Sequence, residues 1–111
     1  MPSPTNKAQI FSGADLSQSV LASAPFPVEF SHSFVMQANL TGSPNGTLVV
    51  QQSIDGLNWA SMNETSFSVS GATTWVQQIV SCDAPVVRLL WTKTSGTGFV
   101  DAWAYSKGVS L

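Results

Sequence analysis

Apolar and polar residues alternate along most of this chain, the spacing of β-strands with one face buried. Over residues 34–40, Phe34, Met36, Ala38 and Leu40 face one way, and Val35, Gln37 and Asn39 the other. Segment 47–54 puts Leu48, Val50 and Ile54 on a common face; segment 74–80 separates Trp75 and Ile79 from Val76 and Val80. Turn chemistry divides these runs. Thr41-Gly42-Ser43-Pro44-Asn45-Gly46 is a cluster of turn residues, and Ser95-Gly96-Thr97-Gly98 parts 86–94 from 99–105. Asp55-Gly56 is a hairpin signal, because both residues tolerate the positive φ of a tight turn. With further segments at 8–11, 17–22, 57–62 and 66–69, the pattern predicts an all-β fold. It is a single β-sandwich or jelly-roll-like domain of about seven or eight antiparallel strands. No segment carries a helical period. Residues 1–9 hold Pro2 and Pro4 and show no period, so they read as an extended N-terminal arm ahead of a domain spanning 10–111. Phe26 and Phe30, beside Pro25 and Pro27, read as a connection that plugs one end of the sandwich.

Two strands break the rule that a solvated sandwich is polar on its outer faces. In 99–105 the odd positions carry Phe99, Trp103 and Tyr105, while the even ones carry Val100, Ala102 and Ala104. In 86–94, Val87, Leu89 and Trp91 share one face, and Val86 and Leu90 the other. Two-sided apolar strands imply that the outer face is covered, by the arm or by another subunit. The candidate contact residues are therefore Pro2, Pro4, Ile10 and Phe11 in and beside the arm, and Leu89, Trp91, Phe99, Trp103 and Tyr105 in the strands. Parity alone does not say which apolar face is core and which is contact.

Composition narrows the partners. Of 111 residues only 9% are charged, and 26 are Ser or Thr. This is the surface of a chain that packs against copies of itself or a partner, since charge is depleted at interface cores. The four cations, Lys7, Arg88, Lys93 and Lys107, are too few and too scattered for a phosphate-binding footprint, so nucleic acid is excluded. An anionic membrane surface is excluded on the same ground. The first residues lack the apolar run of a secretion signal, which predicts synthesis in a cytosol. Against that background the N-x-Ser/Thr triplets at Asn39, Asn45 and Asn63 read as chance. The single cysteine, Cys82, allows no intrachain disulfide.

No catalytic or metal-binding pattern emerges. His32, the sole histidine, sits between Ser31 and Ser33, which as strand neighbours point to the opposite sheet face, so no triad is in view. The six acids are dispersed, and there is no phosphate or dinucleotide loop. The chain is predicted to need no cofactor and no metal. One arrangement invites a binding role: Asp101 lies among aromatic residues, as in faces that hold pyranose rings. This gives an alternative sugar-binding set of Trp59, Asp101, Trp103 and Tyr105.

The run Gln51-Gln52-Ser53-Ile54-Asp55-Gly56-Leu57-Asn58-Trp59 is a strand, a turn and a tryptophan. Later come Val87-Arg88-Leu89-Leu90-Trp91-Thr92-Lys93-Thr94-Ser95-Gly96-Thr97-Gly98 and a final strand ending near Lys107-Gly108. Together they resemble small β-sandwich virion proteins of tailed bacteriophages, notably head decoration (cement) proteins and related accessory proteins. The resemblance spans about residues 30–108. It implies a non-enzymatic structural protein made in the host cytoplasm that binds the major capsid protein on the outer capsid surface. It would do so as a homo-oligomer such as a trimer. The alternatives are a carbohydrate- or receptor-binding module and a tail or connector component.

Overall fold

The computed structural model describes residues 5–28, 33–80 and 84–107. Pro2, Pro4, Phe30, His32 and Cys82 lie outside them. The described chain forms ten strands. They are β1 (Thr5–Asp15), β2 (Val20–Ala22), β3 (Phe26–Pro27), β4 (Ser33–Gly42), β5 (Asn45–Ser53), β6 (Ala60–Ser61), β7 (Phe67–Ser70), β8 (Thr73–Val80), β9 (Val86–Ser95) and β10 (Gly98–Lys107). A four-stranded sheet runs β1-β10-β4-β8. In the second sheet β9 and β5 are central; β2 and β3 flank β9, and β6 and β7 flank β5. All pairings are antiparallel. This is the predicted sandwich. The strand number rises above expectation because β2, β3 and β6 are only two or three residues long, too short to leave an alternation.

The period-two pattern sets the core. Phe34, Met36, Ala38 and Leu40 of β4 and Val100, Ala102 and Ala104 of β10 meet Leu48, Val50, Val87, Leu89 and Trp91 from the facing sheet. Phe26 is wholly buried, so the predicted plug is a two-residue strand pairing with Val86 and Val87. The sandwich closes at its sides. On one side Trp91 Nε1 donates to the Leu16 carbonyl at 3.2 Å, and Ala24 N donates to the Ile10 carbonyl at 3.1 Å. On the other, Phe67 of β7 stacks on Trp75 of β8 with ring centroids 6.1 Å apart.

The boundary expected after residue 9 falls inside β1. Residues 5–9 are strand residues, with Lys7 opposite Tyr105 and Gln9 opposite Trp103. The alternation missed this because Thr5-Asn6-Lys7-Ala8-Gln9 has no large apolar residue to set a period, and beyond it β1 is bulged twice, between Gln9 and Phe11 and between Phe11 and Ala14. The first bulge turns both Ile10 and Phe11 into the core.

The turn clusters at 42–45 and 95–98 are not hairpin loops. Each carries the chain from one sheet to the other, β4 to β5 and β9 to β10. The two corners cross in direct contact, with Ser43 N donating to the Thr97 carbonyl at 2.9 Å. A Cβ on Gly96 would lie 2.1 Å from the Ser43 carbonyl oxygen, and one on Gly98 2.0 Å from that of Thr41. Only glycine lets the backbones approach this closely.

Candidate interaction faces

The outer face of the four-stranded sheet is built around β10. Inward positions Val100, Ala102 and Ala104 leave Phe99, Asp101, Trp103 and Tyr105 pointing out. Register aligns them in rows across the sheet. Lys7, Tyr105, Val35 and Gln78 form one row, and Gln9, Trp103, Gln37 and Val76 the next. Asp101, Asn39 and Thr74 form a third, and Asp15, Phe99 and Thr41 a fourth. Phe99 is 55% exposed, Tyr105 43% and Val76 58%. A shallow depression of about 270 Å³ lies along Lys7, Val35, Gln37, Trp103 and Tyr105. Asn39 Oδ1, mid-face, is buried and accepts no hydrogen bond. Asp101 is committed to structure: its Oδ1 accepts from Gly13 N at 2.7 Å and from Gln9 Nε2 at 3.4 Å, clamping the second β1 bulge. No described segment crosses this face, so described arm residues 5–9 do not cover it.

Other contact candidates belong to the core. Leu89 and Trp91 are fully buried, and Ile10 and Phe11 are 5% exposed. Parity left the assignment open for Leu89 and Trp91; the β1 bulge decides it for Ile10 and Phe11. Of the proposed contacts in the described chain, only Phe99, Trp103 and Tyr105 reach the surface.

The sugar-binding set is not assembled. Trp59 lies over the opposite sheet, where the Arg88 guanidinium stacks 4.3 Å from its ring centroid and Arg88 Nε donates to Gln51 Oε1 at 2.9 Å. Asp101, Trp103 and Tyr105 stay together on the far side of the sandwich.

A second exposed feature is the loop between β5 and β6. Asp55 Oδ1 accepts from Leu57 N and Asn58 N, each at 2.9 Å, and from Ser53 Oγ at 3.0 Å; Oδ2 accepts from Asn58 Nδ2 at 2.8 Å. These bonds, the one from Asn58 N foremost, hold the carboxyl well below the usual carboxylate range. The clamp displays Ile54, 87% exposed, and Leu57, 83% exposed, beside a cleft of about 520 Å³ lined by Gln52, Ser53, Asn58, Ala60 and Ala84. Ile54 was expected inside with Leu48 and Val50. The strand ends at Ser53, and the loop carries Ile54 outward. The Asp55-Gly56 hairpin forms, but as a longer loop stapled by the aspartate.

Among the described residues, no group of three or more His, Cys, Asp or Glu is placed to hold a metal ion. Among the described residues no helix is long and apolar enough to cross a membrane.

No protein-family model matches the sequence, and no curated protein matches it. Solved structures do match in fold. The SPBc2 prophage-derived protein YomS is similar with a TM-score of 0.65 at 8% identity, over 97% of this chain and 96% of that one. The PBSX exported protein XepA gives 0.67 at 11% identity, over 94% of this chain and 38% of XepA. The enzymatically active domain of bacteriophage CBA120 tailspike protein 4 gives 0.57 at 7% identity, over 93% of this chain and 19% of that one. This chain thus has the antiparallel two-sheet β fold that recurs in these phage-derived proteins.

Proposed function

We propose that this chain is a non-enzymatic structural protein of a phage virion. It decorates the outer capsid surface as a homo-oligomer and docks on the major capsid protein through the outer face of β1-β10-β4-β8. The observation that carries this reading is the likeness of fold to prophage-derived YomS over nearly the full length of both chains. The face supports it: Phe99, Trp103, Tyr105 and Val76 offer apolar anchors of the kind enriched at interfaces. Synthesis would be in the host cytoplasm and the working location the virion. The test is re-addition of purified protein to particles lacking it. Wild-type protein should bind saturably. A Phe99→Ser, Tyr105→Ser double variant, altered only at exposed positions, should not. Equal binding by both would remove the face from the account.

A sugar- or receptor-binding role is the second reading. It is favoured by Trp103, Tyr105 and Asp101 on one open face, and by a likeness to a structure described as "CBM4 structure and function", with a TM-score of 0.50 at 10% identity. Trp59 has no part in such a site. A glycan array that lights up only with Trp103 intact would favour it over capsid docking.

A further inference from the structure

The four-stranded sheet ends on β8, whose eight residues pair with β4 without a register break, from Ser33 opposite Val80 to Leu40 opposite Thr73. Among the described strands none pairs with its other side. An open strand edge is a template for another strand, and proteins normally blunt such edges with charge, proline, bulges or shortness. The remaining edges here are blunted. β1 is bulged twice, carries Lys7 and Asp15, and has its Ile10 carbonyl taken by Ala24 N. β2, β3, β6 and β7 have two to four residues each. β8, Thr-Thr-Trp-Val-Gln-Gln-Ile-Val, has no charge, proline, glycine or bulge.

We infer that β8 is the seam through which two copies of this chain join, edge to edge and antiparallel, into one continuous eight-stranded sheet. No described strand of this chain occupies the edge, and a strand from a second molecule can. The strand is suited to itself. A two-fold axis perpendicular to the sheet at Val76 sets Val76 opposite Val76 of the second copy, Trp75 opposite Gln77, Thr74 opposite Gln78 and Thr73 opposite Ile79. Every pair then lies on one face of the sheet, as antiparallel pairing requires. The two exposed valines cover each other, and no like charges meet anywhere along the seam. The faces carrying Phe99, Trp103 and Tyr105 come to lie side by side on the same surface. The pairing does not rest on the virion reading; it is a property of the sheet edge, observable in the purified protein.

The experiment is sedimentation analysis of the full chain at concentrations up to about 200 µM, since a seam of this size falls among the small, weak interfaces. Wild type should dimerise. Val76→Lys, which alters an outward side chain and keeps the far-UV circular dichroism, should weaken dimerisation about tenfold or more. The Phe99→Ser, Tyr105→Ser variant should dimerise like wild type. In a Cys82→Ser background, Val76→Cys should form a disulfide-linked dimer under mild oxidation, because facing Cβ atoms lie about 4.5–5.5 Å apart. A wild type that stays monomeric, or a Val76→Lys dimer as tight as wild type, overturns the inference. Either result leaves the capsid-binding test standing.

Discussion

Alanine at the crossed corners should cost stability in two separable ways, steric and conformational. At Gly98 the backbone is ordinary, but a Cβ would sit 2.0 Å from the Thr41 carbonyl oxygen, where ordinary contact begins at 3.4 Å. The corner must open by more than an ångström, straining the Ser43–Thr97 hydrogen bond between the corners. Overpacking of this kind costs about 3 kcal/mol. At Gly96 the same clash, 2.1 Å from the Ser43 oxygen, adds to a φ of +81°. Left-handed backbone costs a non-glycine residue about 1–2 kcal/mol, which brings Gly96→Ala to roughly 4–5 kcal/mol. Gly13 isolates the conformational part: its φ is +57°, and a Cβ there would meet nothing within 4 Å. Each kcal/mol shifts Tm by roughly 4–8 °C in a domain of about this size. Gly13→Ala should therefore lower Tm by about 4–16 °C and Gly98→Ala by about 12–24 °C, with Gly96→Ala lowest of all. Thermal unfolding followed by circular dichroism, with guanidinium titration beside it, reads the order directly. If Gly98→Ala is no worse than Gly13→Ala, the corners do not need glycine for close approach, and the reasoning fails.

Trp91→Phe should destabilise by about 2 kcal/mol, because it leaves the Leu16 carbonyl without its indole donor in a fully buried setting; guanidinium unfolding measures this. Asp101→Ala should cost about 1 kcal/mol at its solvent-exposed bonds and speed amide exchange at Gly13, visible by NMR hydrogen exchange. The carboxyls of Asp55 and Asp15 titrate below their ordinary value, Asp55 through bonds from Asn58 and Leu57, Asp15 through bonds from Ser17. A depressed folded pKa gives stability that is fully present above the unfolded value near 3.8 and lost as pH falls through the folded one. The amide shifts of Leu57 and Asn58 should thus hold steady from neutral pH to well below 4 and move only in stronger acid. A transition near pH 4 would contradict the clamp.

The alternation in β4, β8 and β10 was legible because each lies in a regular ladder with one face on the core. It misled where the backbone leaves that ladder. The first β1 bulge turns neighbours Ile10 and Phe11 inward together, and the polar run Thr5–Gln9 before it left the strand's first half without a period. Ser53 ends β5 one residue before the apolar Ile54, and no composition signal marks that point; Asp55 marks only the turn that follows. On β10, Val100, Ala102 and Ala104 pack in the core and Phe99, Trp103 and Tyr105 point outward, an assignment that parity alone left open because both faces are apolar. Leu89 and Trp91 could not be assigned, because β9 is apolar on both faces, with Val86 and Leu90 on the side that carries Arg88. The stack of Arg88 on Trp59 separates Trp59 from Asp101, a separation set by sheet topology and invisible to sequence spacing. The open β8 edge could have been suspected from its lack of charge, but only the strand order shows that no described strand pairs with its outer side.

The most direct test of the virion reading is the copy number of this chain per purified particle, measured by quantitative mass spectrometry against the major capsid protein. The account predicts copies in the hundreds, in fixed ratio to the capsid protein. Absence from particles, or a few copies confined to the tail, would contradict decoration of the capsid surface.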